Sequence, residues 1–371
     1  TMRVAYVSYQ WGEISLRTTA GLADEDTIQL WLAEDQARPH LRLLDERVDF
    51  RPFDKPRLRQ GLRQIRLLRE LRRELDRFRP DVVHLQHGHL WLNAMLPLLG
   101  RYPLVISIHD PRHHLGDRSS QRTPQRVLDF GFRRATILIV HTETMADEVT
   151  STIGRDRSDI HVVPHVRLGE EDDQAEVEEQ PGEVLFFGRM WPYKGLRYLI
   201  EAQPRINEAV PDARFVVAGR GGDISDYLQQ MHEPDKFTVI NEYVSTEERA
   251  RLFRRASVIA LPYVEATQSG IVPLAATLGT AVVATRVGGL PDQIDHDRTG
   301  LLVPPGDADA LADAIVDLLR DPARRQRLVA GARDKAAREW STAAVAEGHR
   351  RAYRAAMERF DPRPAAASGT G

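Results

Sequence analysis

The sequence predicts an α/β protein made of two doubly wound domains, each a parallel sheet covered by helices on both faces. Three features carry that reading: a length of 371 residues, short continuously apolar runs rich in β-branched residues, and helical patterns between successive runs. At about 150 residues per domain the length suits two domains, each able to bury its own core. Runs such as Phe215-Val216-Val217-Ala218 and Ala281-Val282-Val283-Ala284 show no polar alternation. Strands of that kind are covered on both faces, as in a parallel sheet between helices, and strands alternating with helices imply βαβ units.

In the first half the strands are expected at Arg3–Ser8, Asp81–Leu85, Leu104–His109, Thr136–Val140 and Ile160–Val163. In the second half they are expected at Val184–Phe187, Ala213–Ala218, Phe237–Ile240, Val258–Leu261, Ala281–Ala284 and Leu301–Val303. Between the halves, residues 169–182 read GEEDDQAEVEEQPG, with seven acidic residues and no basic ones. Such a stretch repels itself and buries no core, so it reads as a linker. The expected organisation is therefore a first domain over 1–168, an acidic linker over 169–182, a second domain over 183–342, a C-terminal helix over 343–361 and a disordered tail over 362–371.

Composition excludes several function classes. The net charge of −3 points to no particular polyanionic partner, and no nucleic acid is expected. There are no cysteines, which rules out disulfides, thiolate zinc sites and a cysteine nucleophile. The opening segment reads as a strand rather than a signal peptide. The longest apolar candidate for a membrane span, Leu90 to Ile108, is broken by Pro97, Gly100, Arg101 and Pro103. A cytoplasmic protein, at most peripheral on the inner face of a membrane, is expected.

The segment 55–79 stands apart. Leu58, Leu62, Ile65, Leu68, Leu71, Leu75 and Phe78 fall at helical spacing, and ten basic against three acidic residues leave it at +7. It reads as an amphipathic surface helix with a solvated Arg face, or as a docking surface for anionic lipid headgroups or a polyanionic acceptor.

The chemistry concentrates in the second half. The segment VLFFGRMWPYKGLRYLIEA, residues 184–202, ends a strand in Gly188-Arg189 and places Lys194-Gly195 at the start of a helix. Ligands of open α/β sheets bind at the carboxyl ends of the strands. Two cations and a helix N-terminus converging there suit a diphosphate. The next strand leaves through Gly219, Gly221 and Gly222, a spacing that does not fit the dinucleotide fingerprint, so hydride chemistry is a poor reading. Further on, Glu265 lies just past a buried strand, and Ser269, Gly270, Ile271 and Val272 open a helix whose amides face a possible anion. A carboxylate beside such a terminus makes sense when a sugar ring with hydroxyl donors sits between them.

From Gly188 to Ile315 the chain resembles the donor-binding domain of retaining glycosyltransferase family 4, whose members have the GT-B fold. The Gly188-Arg189 and Lys194-Gly195 pairs, the Glu265 loop, and the stretch from Gly279 to Gly288-Gly289-Leu290-Pro291 match in order and spacing. The resemblance implies two Rossmann-like domains facing across a cleft, with the C-terminal helix crossing back to the first. It implies that Arg189 and Lys194 neutralise the departing diphosphate and that Glu265 contacts the donor sugar. Gly188, Gly219, Ser269, Gly270, Ile271 and Val272 would offer backbone to the nucleotide, and Tyr243 and Val244, in the Asn241–Val244 turn, would flank its base.

The first domain resembles the family more weakly. His109, ending the Ile106-Ser107-Ile108-His109-Asp110 segment, matches a histidine near the donor sugar, and Gly12 stands where many relatives have paired glycines facing phosphate. His87, His89, His113 and His114 carry no carboxylate pattern at ligand spacing, so no metal site is expected. One departure is clear: the second glutamate of the family, which holds the donor ribose, falls on Pro273 or Leu274 here.

The expected reaction is metal-independent transfer of a hexosyl group, with retention, from a nucleoside-diphosphate sugar (UDP or GDP) to a hydroxyl on a glycan, lipid-linked or small-molecule acceptor. No cofactor is expected beyond the donor substrate. A catalytically silent nucleotide-sugar binder, or another GT-B enzyme such as a sugar-nucleotide epimerase, would share these motifs.

Overall fold

The computed structural model describes residues 1–112, 123–169 and 177–360. His113, His114, residues 170–176 of the acidic stretch and the tail 362–371 lie outside them. The described chain forms two compact units, 1–112 with 123–166 and 342–360, and 167–169 with 177–341.

The first unit holds a seven-stranded parallel sheet: β1 Arg3–Ser8, β2 Thr27–Ala33, β3 Asp49–Phe53, β4 Val82–Gln86, β5 Leu104–Ser107, β6 Ile137–Val140 and β7 Ile160–Val162, in the order β3-β2-β1-β4-β5-β6-β7. Between the strands run α1 Gly12–Leu22, α2 Glu34–Ala37, α3 Gly61–Phe78, α4 Leu90–Met95, α5 Gln125–Arg134 and α6 Glu143–Ile153. Successive strand residues point to opposite faces, and the two cores divide accordingly. Ala5, Val7, Val83, Leu85, Ile106 and Leu138 pack with Leu71 of α3 and Phe132 of α5. Val4, Tyr6, Val82, Val105, Ile137 and Ile139 pack with Leu16 of α1.

Two strands of this sheet, β2 and β3, are absent from the sequence expectation. The β2 segment TIQLWLA is buried from Ile28 onward although it carries Gln29. That amide is satisfied sideways: Gln29 Nε2 donates to Asp49 of β3 at 2.8 Å, and its oxygen accepts from Trp31 Nε1 at 3.0 Å. The β3 segment DFRPF is mostly exposed and contains Pro52, which suits the sheet edge it occupies.

The Arg-rich helix is corrected in detail. Its buried stripe is Gln64, Leu67, Leu71 and Leu75, with Leu68 and Phe78 at its margin. Leu62 and Ile65 point out, at 86% and 40% exposure. Gln64 belongs to the stripe because its amide donates to the Pro56 carbonyl at 2.9 Å.

The second unit holds a six-stranded parallel sheet: β8 Gln180–Phe187, β9 Arg214–Ala218, β10 Phe237–Ile240, β11 Ala256–Leu261, β12 Ala281–Thr285 and β13 Leu301–Val303, in the order β10-β9-β8-β11-β12-β13. Its helices are α7 Leu196–Ala209, α8 Ser225–Gln230, α9 Thr246–Arg255, α10 Ile271–Leu278, α11 Leu290–Gln293, α12 Ala308–Arg320 and α13 Pro322–Glu339. One core sets Val184, Phe186, Val217 and Val283 against α7 and α12; the other sets Leu185, Val216, Ile259 and Val282 against α9 and α10. The strand β8 begins inside the segment expected as linker, and Glu179 just before it pairs with Arg325 and accepts from Ser257 Oγ. Acidic composition alone hid that the end of the segment is anchored.

A last helix, α14 Thr342–Arg359, belongs to the first unit, where it packs on α1 and β6. Its Arg350 side chain, 6% exposed, donates to Asp26 at 2.8 Å and to the carbonyls of Gly21 and Leu22.

Candidate active site

In an open α/β sheet the ligand crevice lies where the strand order reverses. In the second unit that point is between β8 and β11. The loops leaving those two strands carry Arg189, Lys194 and Glu265.

The two loops are fastened to each other. Val264 N–H donates to the Tyr193 carbonyl at 2.9 Å. Gly195, with φ of 68°, lies so close to Pro262 that a Cβ would stand 1.9 Å from the Pro262 oxygen, so only glycine fits there. The Lys194 ammonium sits 3.9 Å from the centroid of the buried Tyr263 ring and 5.0 Å from that of Tyr193. The exposed Arg189 guanidinium lies 4.5 Å over Trp191. An aromatic face attracts a cation through its ring quadrupole and so helps to fix where the charge sits. Gly188, which precedes Arg189, donates its N–H to Ala218, and Gly219 donates to Ile240, so the exits of β8 and β9 lie side by side.

A third loop, after β12, packs against the residues on either side of the half-buried Glu265. Gly288, at φ 49°, would carry a Cβ 1.5 Å from the Ala266 oxygen. Thr285 Oγ1 donates to the Tyr263 carbonyl. The side chain of Gln293, at the end of α11, makes two bonds to one residue: it accepts from Ser269 N–H at 2.8 Å and donates to Ser269 C=O at 3.0 Å. Sequence reasoning passed over Gln293, since a glutamine in a short helix carries no motif.

The α10 terminus offers fewer amides than expected. Ser269 N–H is taken by Gln293, and Ile271 N–H donates to Ser269 Oγ at 3.3 Å. Pro273 has no N–H. Of the four expected backbone donors, Gly270 and Val272 remain for a ligand. The 241–244 turn is tied to the β9 exit by Asn241, which accepts from Gly221 N–H at 2.7 Å and donates to the Gly222 carbonyl at 3.2 Å. Tyr243 is 72% exposed there, and Val244 is half-buried.

In the first unit the strand order reverses between β1 and β4. The β1 exit is strained: Trp11 has φ 66° and ψ 46°, a left-handed conformation that costs a side chain roughly 1–2 kcal/mol. Its indole stacks on His109 at 3.9 Å and 11°. Gly12 packs against the α2 backbone, where a Cβ would lie 1.9 Å from the Gln36 carbonyl.

His109 is completely buried and pairs through Nε2 with the Gln86 amide nitrogen at 2.7 Å. Around it gather His87, His141 and His165, with ring centroids at 5.9, 4.8 and 4.9 Å. Burial, the largest cause, pushes His109 and His165 well below the ordinary imidazole range and His141 down to about 4. These rings are therefore neutral at pH 7. Of the other histidines weighed from sequence, His89 stacks on Tyr9. His141 and His165 were missed, yet a signal existed: like His109, each lies one to three residues past the end of its strand, and β5, β6 and β7 are neighbours.

No helix among the described residues is long and apolar enough to cross a membrane. Residues 181–321 match the family model described as "Glycosyl transferases group 1", and residues 21–166 match "Glycosyltransferase Family 4". The D-inositol 3-phosphate glycosyltransferase of Pseudarthrobacter chlorophenolicus is 30% identical over 79% of this chain and 74% of that protein. The glycogen synthase of Mycobacterium tuberculosis is 30% identical over 72% and 68%. The fold matches the crystal structure of Anabaena HepE in complex with UDP, with a TM-score of 0.68, 18% identity, and coverage of 94% of this chain and 99% of that one. Strand order in both sheets, the joined loops at the second reversal point and these matches together establish that the chain belongs to glycosyltransferase family 4, the group 1 glycosyltransferases of GT-B fold.

Proposed function

We propose that this glycosyltransferase moves a hexosyl group from a nucleoside-diphosphate sugar to an acceptor hydroxyl with retention of anomeric configuration. The observation that carries the reading is the union, at the β8–β11 reversal, of the Lys194 loop with the Glu265 loop, hydrogen-bonded to each other and flanked by Arg189 and the α10 terminus. In this mechanism the bond from the anomeric carbon to the diphosphate oxygen breaks first. The acceptor oxygen then bonds to the same face of the sugar, and its proton passes to the departing phosphate oxygen. Arg189, Lys194 and the amides of Gly270 and Val272 would take up the charge of that leaving group, so the step needs no metal. Glu265 would accept hydrogen bonds from sugar hydroxyls and stabilise the oxocarbenium-like centre. His109 would act behind Trp11, which covers its ring. The nucleoside-diphosphate reading draws support from the similarly folded HepE, whose structure holds UDP.

The test is transfer from UDP- and GDP-hexoses by Lys194→Met and Glu265→Gln. Loss of one preorganised charge-stabilising group lowers kcat by about 100-fold or more. Transfer undiminished in both variants, or a product of inverted configuration, would overturn the proposal.

The acceptor side would include an anionic membrane surface. Leu62, Ile65, Arg66, Arg69 and Arg73 follow the helical spacing of a single face and are all exposed. Apolar side chains among arginines suit insertion at the headgroup level of an anionic bilayer. Flotation with anionic but not neutral vesicles, abolished by Arg66→Glu/Arg69→Glu, is expected; equal behaviour on both vesicle types would remove this element.

A further inference from the structure

We propose that His109, His141 and His165 form a binding site for one first-row divalent metal ion, with zinc the best fit. One ring nitrogen from each of the three lies within 4.8 Å of the others, and all three residues are buried. The nitrogens also lack partners: His109 Nδ1, His141 Nε2 and both ring nitrogens of His165 have no hydrogen bond. Buried polar atoms in native proteins nearly always find a partner, and each one left bare costs about 1–3 kcal/mol. One bare nitrogen from each histidine, three brought together among buried groups, is explained economically by a ligand that accepts lone pairs.

The surrounding groups prepare the rings for that role. His141 Nδ1 lies 2.9 Å from the Val163 carbonyl, to which it donates, leaving the Nε2 lone pair directed away from that bond. Metal-ligating histidines characteristically have their other nitrogen fixed in this way. His109 Nε2 faces the Gln86 amide, whose oxygen lies 2.6 Å from Tyr6 Oη. Ligation through His109 Nδ1 requires Nε2–H to donate, so the Gln86 amide must present its oxygen to His109 in the loaded state. Asp110, next to His109, lies near enough to act electrostatically on His141 and would offset part of the ion's charge. Three neutral imidazoles with no thiolate and no directly ligating carboxylate favour zinc, copper or nickel over calcium or magnesium. At zinc–nitrogen distances of about 2.0–2.1 Å a tetrahedral ion sets its ligand nitrogens roughly 3.3 Å apart, so the trio must draw together on loading.

The site lies wholly within the first unit. Its test reads metal rather than transfer, so its failure leaves the proposed reaction standing. The full chain, without a histidine tag and stripped by chelator, is titrated with zinc(II) against a chromophoric competitor. One equivalent per chain is expected. His141→Asn and His165→Asn should each weaken binding by about 100-fold or more, while His232→Asn, at an exposed position, should not. Since a buried histidine variant can misfold, a second measurement leaves all three ligands in place. Cobalt(II) or copper(II) should quench the indole stacked on His109, and the quenching should vanish in Trp11→Phe. Absence of stoichiometric zinc binding, binding indifferent to both histidine variants, or quenching indifferent to Trp11 would overturn the proposal and leave the trio as a neutral, metal-free cluster.

Discussion

Acid should unfold the first unit before the second, and the cause can be separated from general charge effects. His89 and His349 are both held at about 4 against an ordinary value of 6.5, with burial the largest cause in each. A histidine whose folded value is depressed binds its proton in the unfolded chain first. Stability is therefore intact above about 6.5 and falls with pH through the window from about 6.5 to about 4. At pH near 5 the unfolded imidazole is almost fully protonated and the folded one scarcely, which costs about 2 kcal/mol per group, or about 4 kcal/mol for the pair. A domain commonly has about 5–15 kcal/mol in all, so this loss is a large fraction. His84, hydrogen-bonded to Tyr353 and Ser107, is depressed by the same cause and adds in the same direction. Hydrogen exchange read by mass spectrometry on metal-stripped protein, near pH 7.5 and near pH 5, reports the two sheets separately. Peptides from β1–β7 should lose protection at the lower pH while those from β8–β13 keep more of it. In His89→Gln/His349→Gln the loss should shrink by about 4 kcal/mol. An unchanged loss in the double variant would refute the argument.

Two further outcomes follow from the second unit. Gln293→Ala removes both bonds to Ser269 and leaves that backbone bare, so it should cost about 1–3 kcal/mol of stability in urea unfolding; it should also raise the donor KM proportionally more than it lowers kcat, whereas a purely structural glutamine would leave the KM of folded protein untouched. Gly288→Ala places a methyl against the Ala266 carbonyl in a left-handed backbone, and should lose more than about 2 kcal/mol together with most transfer activity; wild-type thermal stability in this variant would show that the β12 loop does not support Glu265.

Much of this molecule was legible before its coordinates, and the exceptions have physical causes. All six strands of the second sheet were visible as short runs rich in apolar and β-branched residues; β9, β11 and β12 are covered on both faces, whereas the edge strand β10 is only half-buried. The β2 strand hid because a buried glutamine breaks its pattern, and its amide nitrogen is satisfied by Asp49, 20 residues away. The β3 strand hid because a sheet edge tolerates Pro52 and exposed charge. In the Arg-rich helix, periodicity was read correctly as helical but its phase was off: Leu62 and Ile65 were placed on the apolar face, whereas Gln64 and Leu67 occupy it. Arg189 and Lys194, singled out as cations at a strand end, stand on the loop leaving β8 at the reversal of the sheet. The histidine trio was beyond reach of local spacing, because strands β5, β6 and β7 bring together residues 109, 141 and 165 only once the sheet forms.

The missing second glutamate has a structural consequence that ties these observations together. Where the family places a ribose-binding carboxylate, this chain has Pro273 and Leu274, both buried; Leu274 packs against Gly169 and sits in the core beneath α10. A carboxylate at the Leu274 position would be buried among apolar side chains, an expensive place for a charge. At these two positions, therefore, the side chains of α10 serve packing, while the amides of Gly270 and Val272 remain at its terminus. Something else must then order the Ser269 turn, and Gln293 does so from α11 with two hydrogen bonds that need no bound nucleotide. A turn ordered in advance loses less entropy when the donor arrives. On the proposed reaction, preorganisation of the Ser269 turn would offset part of the affinity that a ribose carboxylate would have supplied.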